Sequence, residues 1–299
     1  MAGLGLKDLP LPPKRYDLAR TARFETESAA AHEDQVGRST ALQETAFAGG
    51  KLINRANALD LARRLAGKAI PETLASSRHM RELRRRVHGH TLQLHDALDK
   101  HGGRTFHLVG EGHSKLPGNL MDVSAPLMRN AFRSDINRSM PTLRIMKAPS
   151  GLIGFLHGEF NEDTERFSIH MHGYAFGAHL DAVNALPKLP KYKPGKAGDG
   201  RDAIAQPKLV RKELGDPAYT LSYNLKSYWP GVRTIYELDD KIGVPKRSVQ
   251  TRRIPEPYHS LSLLWLDRWA LGDISLLMGL RVTKRGISLN LANGCTRMG

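Results

Sequence analysis

"FSIHMHGYAFG", residues 167 to 177, sets two histidines one residue apart inside an apolar, β-branched and aromatic run. Side chains alternate across a strand, so His170 and His172 share a face, with Cα atoms roughly 7 Å apart. That span lets two imidazole nitrogens converge on one metal ion. The spacing alone is weak: among 299 residues with 13 histidines, chance yields about 0.6 His-x-His pairs. His88 and His90, in "RRVHGHTLQLHDAL", form a second pair, but helical periodicity turns them about 200° apart. They read as surface or structural residues. The neighbourhood of His170 decides the matter.

Working outward, "LIGFLHGEFNED" (152–163) reads as a strand ending in a polar turn, with the His-bearing strand as its hairpin partner. Glu159 and His157 share parity there. Glu159, His170 and His172 together make a three-ligand set for a hard or borderline divalent ion, Mg2+ or Mn2+. Upstream, "RTFHLVGEG" (104–112) reads as a strand with Phe106, Leu108 and Gly110 on one side. A basic amphipathic helix, "APLMRNAFRSDINRSM" (125–140), follows, with Ser124 as N-cap and Pro126 in its first turn. Downstream, "AHLDAVNAL" (178–186) reads as a helix. A Lys-, Pro- and Gly-rich loop then carries Lys188, Lys191, Lys193 and Lys196 as candidate contacts for a polyanion. "DPAYTLSYNLKSYW" (216–229) reads as a helix with Asp216 at the N-cap. Its Tyr219 and Tyr223 are one turn apart, and Lys226 lies on nearly the same face.

Composition narrows the chemistry. Lys and Arg number 45 against 30 Asp and Glu, a net charge of +15. Such a surplus is the footprint of a polyanionic partner, nucleic acid before an acidic membrane. The single cysteine, Cys295, excludes an internal disulfide framework and Cys-rich zinc modules, and fits a reducing cytosol. The most apolar region, "SLSLLWLDRWALGDISLLMGL", is broken by Asp267, Arg268 and Asp273, and "MAGLGLKDLPLPPKRYDLAR" has no signal-like apolar core. The expectation is a cytoplasmic, basic, globular protein without a membrane partner.

Residues 104–229 resemble the HUH endonuclease domain of rolling-circle replication initiators, related to HUH transposases and relaxases. The resemblance rests on "TFHLVGEG" as an early strand motif, "IHMHG" as the His-hydrophobic-His strand, and "YTLSYNLK" as the tyrosine helix with its lysine. It implies a metal held by His170, His172 and an acidic third ligand at the place of Glu159. It implies a tyrosine nucleophile, Tyr223 or Tyr219, with Lys226 beside it. It further implies nicking and rejoining of single-stranded DNA through a 5′-phosphotyrosyl intermediate, with a free 3′-hydroxyl for a host polymerase. The sequence shows no ATP-binding loop, so unwinding would fall to a separate host helicase, and origin duplex DNA is the expected partner of the C-terminal region. Two departures stand out. The early strand lacks the Thr-rich wording usual in the family, and Ser222 replaces the lysine that follows the first tyrosine in two-tyrosine members. A transposase or relaxase shares the motifs. A non-catalytic binder would instead use Phe106, Phe155 and Tyr174 to stack bases.

The expected fold is α+β: a central antiparallel sheet of about five strands carrying His-x-His, flanked by helices, with further helical regions at both ends. The expected organisation is a poorly ordered or loosely docked segment (1–50), a helical region (51–103), the endonuclease domain (104–229) and a helical C-terminal region (230–299). Both "KIGVPKRSVQTRR" and "LGDISLLMGLRVTKRGISLNL" have a helix-turn-helix rhythm. The second would place Arg281, Lys284 and Arg285 on a groove-facing helix.

Overall fold

The computed structural model describes residues 4–17, 28–98, 102–110, 113–140, 149–189, 192, 221, 225–226, 228–238 and 245–290. Helices α1 (Ser28–Ala48), α2 (Arg55–Ala66) and α3 (Ser77–Ala97) precede β1 (Arg104–Leu108) and the short β2 (Ser114–Lys115). Next come α4 (Ala125–Ser139), the hairpin β3 (Gly151–Asn161) and β4 (Arg166–Phe176), and α5 (Ala178–Ala185). The chain continues through β5 (Pro230–Leu238), β6 (Pro245–Arg253), α6 (Tyr258–Asp267) and the single turn α7 (Leu271–Ile274). It ends in β7 (Ser275–Met278), β8 (Leu280–Thr283) and β9 (Gly286–Leu289).

The class is α+β, and the sheet is larger than expected and mixed. Seven strands run in the order β1-β4-β3-β5-β6, with β2 also on β4 and β7 also on β3. β3 and β5 pair in parallel through Phe160 and Asn161, and every other pairing in the sheet is antiparallel. Strands from beyond residue 229 therefore complete the sheet begun by β1.

The two faces of the hairpin differ in kind. One carries Phe106, Leu108, Leu156, Phe160, Phe167, Ile169 and Met171, all buried. α6 covers it: Tyr258 stacks on Phe160 at 4.4 Å, and Trp265 packs on Trp229 at 5.1 Å. The other face carries the histidines, and α3 lies over it, with His95 Nδ1 2.8 Å from Tyr174 Oη.

Glycines mark the tightest approaches. A Cβ on Gly158 would sit 2.4 Å from the Trp229 ring, so Gly158→Ala should cost roughly 1–3 kcal/mol by overpacking. Thermal or urea denaturation of the variant measures this; unchanged stability would show that Trp229 moves freely.

Two sequence readings need correction. The segment 1–50 is not loosely docked where it is described. Gln35 Nε2 donates to Leu65 O at 2.9 Å, Arg38 NH1 to Ala75 O at 2.9 Å and Ser39 Oγ to Ala62 O at 2.8 Å, all buried. α1 escaped the periodicity test because much of what it buries is alanine or polar. Next, the C-terminal region is not a helix-turn-helix. Residues 275–289 form three short strands, with Arg281 in β8 and Lys284 and Arg285 at the exposed β8–β9 turn. Ile274, Leu277 and Leu280 have helical spacing, but Gly279 adopts φ 64° where a Cβ would meet Ser150 O at 2.5 Å. That left-handed turn, which favours glycine, ends β7 and starts a hairpin. Similarly, "PKRSVQTRR" is strand β6. His88 and His90 lie within α3 as expected, and both are buried, which is the structural of the two readings. Among the described residues, no helix is long and apolar enough to cross a membrane.

Candidate metal centre

Register builds the site. In the sheet His172 is paired with His107 of β1 on one side and Phe155 of β3 on the other; His170 is paired with His157. Directly opposed residues project from the same face, so β1, β3 and β4 place four imidazoles together. Those of His107, His170 and His172 each offer a nitrogen within 4.8 Å of the other two. The His107 and His172 rings stack at 4.5 Å with 4° between planes.

The third donor is therefore His107, in place of the expected Glu159. Glu159 opposes Ser168, two pairs beyond His157 and His170. It shares the face but falls outside the triad. In the sequence β1 is marked by Phe106 and Leu108, which lie on the opposite face. The same alternation that buries them turns His107 toward His172.

The spacing of His170 from its neighbours is close to what one ion asks of two donors. Two nitrogens each about 2.1 Å from one ion, at angles between octahedral and tetrahedral, stand roughly 3.0–3.4 Å apart. His170 Nε2 lies 2.9 Å from His172 Nε2 and 3.4 Å from His157 Nδ1. The Tyr228 carbonyl, 3.2 Å from His157 Nε2, can only accept. Nε2 therefore carries the proton and Nδ1 turns its lone pair to the cluster, the usual arrangement for a ligating histidine. His170 Nδ1 is buried with no hydrogen-bond partner.

Electrostatics keep these imidazoles neutral, the form that binds metal. Burial pushes His157 down to about 3 and His172 to about 2, helped by the neighbouring imidazoles and Lys226. Burial also drives His170 well below the usual histidine range.

Lys226 lies close enough to the cluster to act on His157 and His172. It precedes the 228–229 stretch that lies along β3 between its pairings with β7 and β5. Burial lowers the Lys226 pKa, against the attraction of Glu159 and with the repulsion of Arg84. Burial raises that of Glu159, against the pull of Lys226. Both move toward their neutral forms, so desolvation outweighs mutual attraction. Arg84, on the α3 side of the face, adds a second cation near Lys226 that sequence reasoning missed.

The remaining predicted site residues are scattered. Tyr219, Tyr223, Lys191, Lys193 and Lys196 lie outside the described residues. Lys188 closes an exposed turn after α5, and Arg281, Lys284 and Arg285 sit on the β8–β9 hairpin, which rests on α3 through Gly286 and His90. Comparisons with protein-family models, curated proteins and solved structures return no match.

Proposed function

We propose that the protein is a metal-assisted endonuclease of the HUH type. It would nick and rejoin single-stranded DNA through a tyrosine and so initiate rolling-circle replication of a plasmid or phage. The observation that carries this reading is the convergence of His107, His170 and His172 with Lys226 and Glu159 on one sheet face. Supporting it are the order strand, helix, His-bearing hairpin, helix and the net charge of +15.

His107, His170 and His172 would hold the ion, with His157 adjacent. A divalent ion there would serve as Lewis acid on a non-bridging oxygen of the scissile phosphate. The remaining work belongs to the chain. Tyr223, with an unperturbed pKa of about 10, is a weak nucleophile until a cation favours its phenolate. Lys226 stands three residues on and at the cluster. Arg84 adds positive charge near it, suited to holding a phosphodiester. Tyr219, followed by Ser222 rather than lysine, takes the second transfer or the rejoining step.

An all-imidazole set suits borderline ions, whereas Mg2+ prefers oxygen donors. The reading therefore predicts a covalent protein–DNA adduct on single-stranded DNA with Mn2+, and at least tenfold less with Mg2+. Denaturing electrophoresis of end-labelled oligonucleotides measures both. Equal activity with the two ions would move the metal to an oxygen-rich site elsewhere.

A further inference from the structure

We propose that α4 is a groove-reading helix whose exposed face enters the major groove of B-form DNA. The identity of the polymer rests on the nuclease reading, and the remainder stands on the helix itself. α4 buries Ala125, Phe132, Asp135 and Ile136. At about 100° per residue, its outer side carries Asn130, Ser134 and Asn137 down the middle. Arg133 runs along one edge and Arg138 along the other. Asn130, Arg133, Asn137 and Arg138 are exposed, and Ser134 is half-buried. Leu127, 71% exposed, and the exposed Ala131 complete the Arg138 edge.

No carboxylate stands on that face. Asp135, the one acid of α4, is turned inward, 2% exposed, and accepts from Tyr192 Oη at 2.7 Å. Tyr192 belongs to the Lys-, Pro- and Gly-rich loop, so this bond ties the basic segment to α4. The turn at 186–188, which ends in the exposed Lys188, also packs on α4. Arg129 is committed locally: it donates to Gly272 O and, at 3.3 and 3.2 Å, to Asn130 Oδ1, which sets the Asn130 amide. Among the described residues neither Arg133 nor Arg138 makes an ion pair, so both charges stand open to phosphate.

The chemistry of the face matches a duplex groove. A helix about 10–12 Å across fits a groove about 12 Å wide. Asparagine pairs with the adenine edge, arginine with guanine or with phosphate, and small apolar groups with the thymine methyl. A net charge of +15 supplies the attraction to phosphate that docking requires. The helix also lies on the side of the sheet away from the histidines. A Cβ on Gly110, just beyond β1, would meet the Phe132 ring at 3.0 Å. Val123, next to the N-cap Ser124, accepts from Trp265 Nε1 of α6 at 3.0 Å. A duplex on α4 and a single strand at the histidine centre would therefore occupy opposite faces without competing. A catalytic centre for single strands does not itself choose a duplex site, and such a helix would.

The test is selection of binding sites from a randomised 30-base-pair DNA library by the full-length protein, followed by anisotropy titrations of an enriched duplex across a salt series. Wild type should enrich a sequence. Asn130→Ala/Asn137→Ala should lose that enrichment and bind the selected duplex about tenfold to a hundredfold more weakly. Arg133→Ala/Arg138→Ala should weaken binding to selected and unselected duplexes alike, and flatten the slope of log affinity against log salt by about 2. All four positions are exposed and alanine favours the helix. Both variants should therefore keep their single-strand affinity within twofold, which also reports intact folding. Enrichment without any covalent adduct on single-stranded DNA leaves the helix standing and removes the nuclease. Four results would overturn the helix. They are no enrichment by wild type, an unchanged motif and affinity in the asparagine variant, an equal loss of single-strand affinity, and equal competition by duplex RNA, whose major groove is too deep and narrow to read.

Discussion

Replacing His170 with alanine is expected to abolish both metal binding and metal-dependent cleavage. His170 stands at the centre of the cluster, 2.9 Å from His172 Nε2 and 3.4 Å from His157 Nδ1. Losing it removes the donor that links the others. An ion at a hundred times its dissociation constant stabilises the folded state by about 2.7 kcal/mol, which for a chain of this size is roughly 4 °C in Tm. That shift should vanish in His170→Ala, and cleavage should fall by about 10³-fold or more. The metal-free variant should remain folded, because the imidazole removed already carries a buried nitrogen without a partner. His107→Ala should behave likewise, whereas Glu159→Gln should keep most of the thermal shift. A full shift in His107→Ala with none in Glu159→Gln would restore the carboxylate as third ligand. Differential scanning fluorimetry with and without Mn2+ reads all three variants.

Mild acid is the second large expected effect. Burial lowers His88 and His170 well below the histidine range, His179 to about 4, His157 to about 3 and His172 to about 2. In the unfolded chain each titrates near 6.5. Above that value neither state binds the protons and stability is complete. Below it the unfolded state takes up protons that the folded state refuses, so stability falls. Each group contributes about 1.4 kcal/mol per pH unit. The loss continues downward until the folded pKa is reached, first for His179, then His157, then His172. These groups act in the same direction, so stability falls together below pH 6.5. The metal-free protein should therefore lose stability progressively between pH 6.5 and 5, and Mn2+ should oppose the loss. Urea midpoints at pH 7.5, 6.5 and 5.5 measure it. A flat profile would mean that the imidazoles reach solvent.

How far the sequence spoke depends on the element. The hairpin was legible because its strands alternate clearly and its turn is polar. His170 and His172 follow from parity alone, and His157 from the same rule one strand back. His107 needed knowledge that β1 pairs with β4 at His172, and pairing partners distant in sequence leave no local trace. The shift from Glu159 to His107 is a matter of register: Glu159 faces Ser168 from β3, whereas His107 faces His172 from β1, four residues along β4. α1 was missed because burial of Gln35, Arg38 and Ser39 depends on backbone carbonyls of residues up to 37 positions away. The C-terminal strands were misread because alternating and helical spacings coincide over runs this short. Gly279 and Gly286, both at positive φ, were the signals for hairpin turns. Arg84 was invisible as a site residue until α3 was laid over the histidine face.

The central claim is that a tyrosine attacks DNA at this histidine centre, and the most direct measurement is the site of attachment. The protein is incubated with Mn2+ and single-stranded DNA, the covalent complex is digested, and the nucleotide-bearing peptide is sequenced by mass spectrometry. The account predicts a nucleotide on Tyr223, absent from Tyr223→Phe and from His170→Ala. Cleavage that leaves no nucleotide on the protein, or a nucleotide on any residue other than Tyr223 or Tyr219, would contradict it.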